Sequence, residues 1–93
     1  MRYDYAWQKL YEGMQKLVGD ETLRHRLREA LGCVNALRIP KLPSEIQGKL
    51  QELDIEVDGL SNDDLHAYAY KFLDLYDEVT QAYGAETHLT DKQ

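Results

Sequence analysis

"NDDLHAYAYKFLDLYDEVTQAY", residues 62–83, decides the fold class. Leu65, Ala69, Phe72, Tyr76, Val79 and Tyr83 recur at alternating spacings of four and three residues, the repeat of one helical face. Tyr68, Leu73 and Leu75 broaden that seam. Ser61 and Asp64 form a capping-box variant just before it, and Gly84 offers a C-cap. A helix over 62–83 follows. Residues 1–84 then form a single helical domain, and residues 85–93, "AETHLTDKQ", form a flexible C-terminal tail.

The segment leading into this helix, "DIEVDGLSNDDL" at 54–65, raises the question of calcium. Asp54, Glu56 and Asp58 sit two apart and Gly59 follows, as in the first half of an EF-hand loop. The twelfth place, however, requires a bidentate Glu and holds Leu65, which has no oxygen to offer. Ile55 and Val57 alternate with the acids, giving one apolar and one wet edge. The reading is therefore an acidic, extended connection between helices, with no metal.

Further toward the N-terminus the period stays helical. A short third helix spans about 44–53, with Ile46, Leu50 and Leu53 as its stripe and Ser44 and Gln47 as a capping box. Pro40 and Pro43 break the chain before it. A second helix runs over about 21–38, burying Leu23, Leu27, Ala30, Leu31, Val34 and Leu37, with Gly32 as the candidate for a close helix contact. Asp4 caps a first helix whose stripe is Trp7, Leu10, Tyr11, Met14, Leu17 and Val18, and Gly19 ends it. The expected fold is all-α, a small bundle of three to four helices with a short third helix. Its shape is either an up-down bundle or a three-helix core with the third helix beside it.

Charge is distributed unevenly. Residues 1–49 carry nine Lys and Arg against six acids, whereas residues 50–93 carry two Lys against eleven acids, for a net charge of −6. The two halves are expected to neutralise each other in part within the fold. An acidic chain is repelled by nucleic acid through its overall field. The single cysteine, Cys33, excludes an internal disulfide and a cysteine-rich zinc site, and points to a reducing cytosol. No apolar run reaches the length of a membrane span, and "MRYDYAWQKLYEGM" lacks the apolar core of a signal peptide, so a cytoplasmic location is expected.

Few residues offer chemistry. His25, His66 and His88 lack the spacing that puts two imidazoles on one helical face. Cys33 lies beside a buried stripe with no evident base, and there is no glycine-rich phosphate loop. No enzymatic activity, cofactor or metal is expected. The stretch "LRHRLRE" makes Arg24, Arg26 and Arg28 a basic patch, read either as a nucleic-acid contact or as partners for acids on the fourth helix. Tyrosine is over-represented, with seven against one Phe and one Trp. Tyr70 lies opposite the seam, among Asp63, His66, Asp74 and Asp77, and these five are the candidate partner-binding residues. The acids of the fourth helix are too sparse to imitate duplex DNA, which carries about 20 phosphate charges over a helix of this length, roughly 33 Å.

The runs "YAWQKLY", "RLREA" and "ALRIPKLPSEIQGKLQEL" resemble short helical proteins of bacteria and phages over roughly residues 5–53. The matching positions are core and capping residues. The resemblance thus implies a helical fold and a prokaryotic or phage origin, and no activity. The function expected is a small non-enzymatic protein–protein interaction or regulatory module. The alternatives are an acidic inhibitor of a nucleic-acid-handling protein, of the phage anti-defence type, and a nucleic-acid binder using the second helix. Self-association through the seam is a further route to a partner.

Overall fold

The computed structural model describes residues 3–35 and 42–91, with side chains up to Ala85. Four helices form: α1 (Asp4–Leu17), α2 (Leu23–Val34), α3 (Ser44–Glu52) and α4 (Asn62–Asp91). The fold is all-α, with no strand among the described residues, and the third helix is the shortest. α1, α2 and α4 pack against one another in every pairing, and α3 lies on α4. This is the three-helix core with a side helix. α1 and α4 run antiparallel, since Trp7 meets Thr80 and Tyr83 while Gly13 faces Phe72.

The core follows the seam. Leu65, Phe72, Leu75 and Val79 are buried from α4, and Leu27, Ala30, Leu31 and Val34 from α2. Burying one such large apolar side chain stabilises the fold by about 1.5–3 kcal/mol. Ala69, Tyr76 and Tyr83, on the same seam, are half-buried against the core.

α1 is rotated relative to its expected stripe. Ala6, Leu10, Gly13 and Leu17 face inward, while Tyr11 and Val18 are exposed. The rotation, about 70° at 100° per residue, brings the two smallest residues of the helix to the interface. The close contact expected at Gly32 is found at Gly13 instead. A methyl on Gly13 would sit 3.0 Å from the Ala30 carbonyl oxygen of α2 and 3.2 Å from Phe72 Cε2 of α4, whereas nothing lies within 4 Å of a methyl on Gly32. The displaced aromatics cover the edge. Trp7 stacks on Tyr11 at 5.2 Å and on Tyr83 at 5.4 Å, and its indole N–H donates to Thr80 Oγ1 at 3.1 Å.

The helix ends show which local signals were used. Ser61 caps α4, its hydroxyl oxygen accepting from the Asp64 N–H at 3.2 Å. Thr22 caps α2 by accepting from the His25 N–H at 3.2 Å. Asp4 does not cap α1. Tyr3 is the N-cap, with no side-chain capping bond to the helix, and Asp4 is an acid of the first turn, where the helix dipole favours it. Ser44 does not cap α3 either. Pro43 holds that place, and Gln47 Nε2 donates to the Leu42 carbonyl at 2.8 Å. The expected end of α2 at Arg38, and the side chain of Leu37, lie outside the described residues. The expected stop at Gly84 is corrected: α4 continues to Asp91, so residues 85–91 have helical backbone. No described glycine has positive φ, so Gly84 forms no left-handed cap. It sits within the helix at a cost of about 1 kcal/mol relative to Ala.

Candidate functional site

The three arginines of α2 are turned onto the protein itself. Arg24 Nη1 donates to the carbonyls of Val57 at 2.6 Å and Asp58 at 3.1 Å, and Nη2 donates to that of Leu60 at 2.8 Å. Arg28, one turn later, forms an ion pair with the Asp58 carboxylate. Arg26 points the other way, donating to the carbonyls of Leu17 at 2.7 Å and Glu21 at 2.8 Å. It thereby satisfies a carbonyl that the end of α1 leaves without a helical partner. The basic patch is thus a clasp joining α2 to the α1–α2 turn and to the acidic connection. The expected pairing with α4 acids comes instead from α3, where Lys49 pairs with Glu78. That pairing holds the Lys49 ammonium above its usual range, because the Glu78 carboxylate accepts its hydrogen bond. Both pairs join the basic half of the chain to the acidic half.

The connection 54–60 behaves as its alternation suggests. Val57 is buried and Ile55 half-buried, while Asp54, Glu56 and Asp58 are exposed. The Leu60 carbonyl, which would be the backbone ligand at position seven of a calcium loop, accepts from Arg24. Leu65, at the twelfth place, is buried in the core. A guanidinium therefore takes the backbone oxygen that a bound cation would need. No group of three or more His, Cys, Asp or Glu residues placed to hold a metal occurs among the described residues.

The five residues named on the outer face of α4 lie together on its exposed side. Asp63, His66, Tyr70, Asp74 and Asp77 are all exposed and fall within about 80° of arc, on the side opposite the buried seam. Tyr70 is 66% exposed. Asp77 accepts from Gln81 Nε2 at 3.2 Å, and no described base pairs with Asp63, Asp74 or Asp77. Two other exposed tyrosines are occupied, Tyr11 by Trp7 and Tyr5 by the Lys9 ammonium 5.6 Å from its ring centre. Tyr70 has no such contact among the described residues.

Comparison of the chain with protein families, with curated proteins and with solved structures gives no match. The function therefore has to be argued from the geometry.

The remaining candidates are dispersed. His25 lies 3.5 Å from Glu29 on α2, and His66 lies on the outer face of α4. Cys33 is half-buried, and its surroundings push the thiol above its ordinary range, first by burial and then by the charge of Glu12. A protonated thiol is a poor nucleophile. The seam's Leu65, Phe72 and Val79 are buried within the chain, which leaves them unavailable to a second copy. No described helix is long and apolar enough to cross a membrane.

Proposed function

We propose that this protein is a non-enzymatic helical interaction module, and that another protein docks on the outer face of α4. The observation that carries the reading is Tyr70. It is a large exposed aromatic with no partner among the described residues, in the middle of a face whose acids are also unpaired by any described base. Aromatic residues in such positions are enriched among those that dominate binding energy. Asp63, Asp74 and Asp77 around it select a basic surface and fix its register. A cytosolic setting in a bacterial or phage-infected cell belongs to the same proposal. It rests on the single cysteine and on the resemblance of residues 5–53.

The unpaired acids favour one second reading, an acidic plug for the basic groove of a nucleic-acid-handling protein. Direct nucleic-acid binding by α2 has less support, because Arg24 and Arg26 donate to the protein's own carbonyls and Arg28 is paired with Asp58. The test is a photo-crosslinking residue placed at position 70, with position 52 on α3 as an exposed control, in source-cell lysate at low and high salt. A product specific to position 70 and abolished by Asp74→Lys is expected. Retention at high salt fits an interface anchored by Tyr70, and loss fits the acidic plug. If positions 70 and 52 label the same proteins, the face is not a docking site. Tyr70→Ala is expected to weaken binding by about 2 kcal/mol, roughly thirtyfold. It should change stability by less than about 0.5 kcal/mol, because the side chain is exposed.

A further inference from the structure

We propose that residues 54–60 form a latched strap, held closed by Arg24, which opens as a unit while α1, α2 and α4 stay folded. The strap links the end of α3 to the cap of α4, and its own anchoring is slight. Its backbone bonds are few: the Asp54 N–H donates to the Gln51 carbonyl of α3 at 3.1 Å, and the Leu60 N–H closes a turn on the Val57 carbonyl at 3.1 Å. Val57 is its one fully buried side chain; Ile55 and Leu60 are half-buried, and Asp54, Glu56, Asp58 and Gly59 are exposed.

Against this light anchoring, a single guanidinium gathers three strap carbonyls, those of Val57, Asp58 and Leu60. The fork geometry of arginine suits the task, since its donors are fixed in a plane and its charge strengthens each bond. Arg28 adds the ion pair to Asp58 from the next turn of the same helix. The strap's closure thus depends on two side chains of α2 and one buried valine, whereas the helices depend on the shared core. Segments with few buried apolar contacts and exposed backbone open below the global unfolding free energy. The boundaries of the unit are Leu53, buried at the end of α3, and Ser61, the N-cap of α4. Opening lifts Val57 out and uncovers the apolar end of the bundle beneath it.

Native-state amide exchange of the whole chain decides this. The Leu60 amide, bonded to Val57, reports the strap, and the Phe72 amide within α4 reports the core. In the wild type, Leu60 is expected to exchange through a smaller opening than Phe72. In Arg24→Gln, Leu60 should exchange about tenfold faster or more, since hydrogen bonds from a charged donor are lost. Phe72 should accelerate by a similar factor, because bonds lost from the closed state lower the free energy of every opening that breaks them, and Leu60 should keep its lead over Phe72. Equal opening free energies for the two amides in the wild type would make the strap part of the global unit and overturn the proposal, as would an unchanged Leu60 in Arg24→Gln. If Arg24→Gln does not fold, the same two rates in Asp58→Asn decide. An acceleration of Leu60 that leaves it ahead of Phe72 supports the latch, and an unchanged Leu60 refutes it.

Discussion

Gly13→Ala is expected to destabilise the protein although it removes a glycine from the middle of a helix. Alanine is intrinsically better than glycine in a helix by about 1 kcal/mol, so the substitution taken alone should help. The packing reverses the sign. The new methyl would lie 3.0 Å from the Ala30 carbonyl oxygen and 3.2 Å from Phe72 Cε2, and nearer still to Phe72 Cζ. Comfortable separations between carbon atoms are about 3.5–4.0 Å. Neither neighbour can yield easily, because one is the backbone of α2 and the other is a ring with 0% exposure. α1 must lift from both partners, or the ring must leave its rotamer. Overpacking of this kind costs about 1–3 kcal/mol. Offset by the helix preference, and with two elements crowded at once, the net loss should be about 1–2 kcal/mol. For a domain of this size that lowers Tm by roughly 5–15 °C. Gly32→Ala, at a helical site with nothing within 4 Å, should instead gain about 0.5–1 kcal/mol. The assay is urea unfolding followed by circular dichroism and by the fluorescence of Trp7, the single tryptophan. In a Phe72→Leu background, which lacks the ring atom nearest the methyl, the Gly13→Ala penalty should shrink by at least about 0.5 kcal/mol. If Gly13→Ala raises stability as Gly32→Ala does, α1 does not approach Phe72 this closely and the three-helix packing argued above is wrong.

Three other expectations follow from the surface groups. Millimolar calcium or a chelator should leave the midpoint of thermal unfolding unchanged, because Arg24 holds the connection's carbonyls and Leu65 stands where a bidentate Glu is needed; a calcium-dependent rise in Tm would refute this. Lys49 has its folded-state pKa raised above 10.5 by Glu78, so its stabilising contribution is fully present below 10.5 and lost as pH rises through the folded value. The stability difference between wild type and Lys49→Gln should therefore be constant at neutral pH and shrink above about pH 10.5, as measured by denaturant unfolding at each pH. Cys33, with its thiol pushed above 9.0 by burial, should react with a disulfide reagent at pH 8 more slowly in the folded protein than in urea, and a faster folded-state reaction would contradict the burial.

Much of the fold was legible because α4 carries a strong period. Leu65, Phe72 and Val79 repeat at the spacing that places them on one face, and all three are buried. The Ser61 cap was equally readable, since the hydroxyl needs only local backbone to bond. The orientation of α1 was harder to read. Its apolar residues cover two adjacent faces, and the choice between them turns on the small size of Ala6 and Gly13, which matters only once other helices approach. The outer face of α4 was predicted by elimination, as the side opposite the seam, and its exposure follows from that geometry. The role of the arginines was not readable. Their spacing shows a charged helix, and nothing in it says that the Val57, Asp58 and Leu60 carbonyls, far along the chain, will face Arg24.

What the sequence by itself determined is therefore whatever depends on neighbours in the chain: helical period, the buried seam of α4, the missing twelfth ligand, and the exposed stripe around Tyr70. Tertiary structure alone decided which side of α1 turns inward, since close approach at Gly13 depends on Phe72 and Ala30 arriving from other helices. It also decided that Arg24 bonds to backbone rather than to a phosphate or solvent. A guanidinium binds whichever acceptors the fold brings within reach, and carbonyl acceptors carry no signature in the amino-acid sequence.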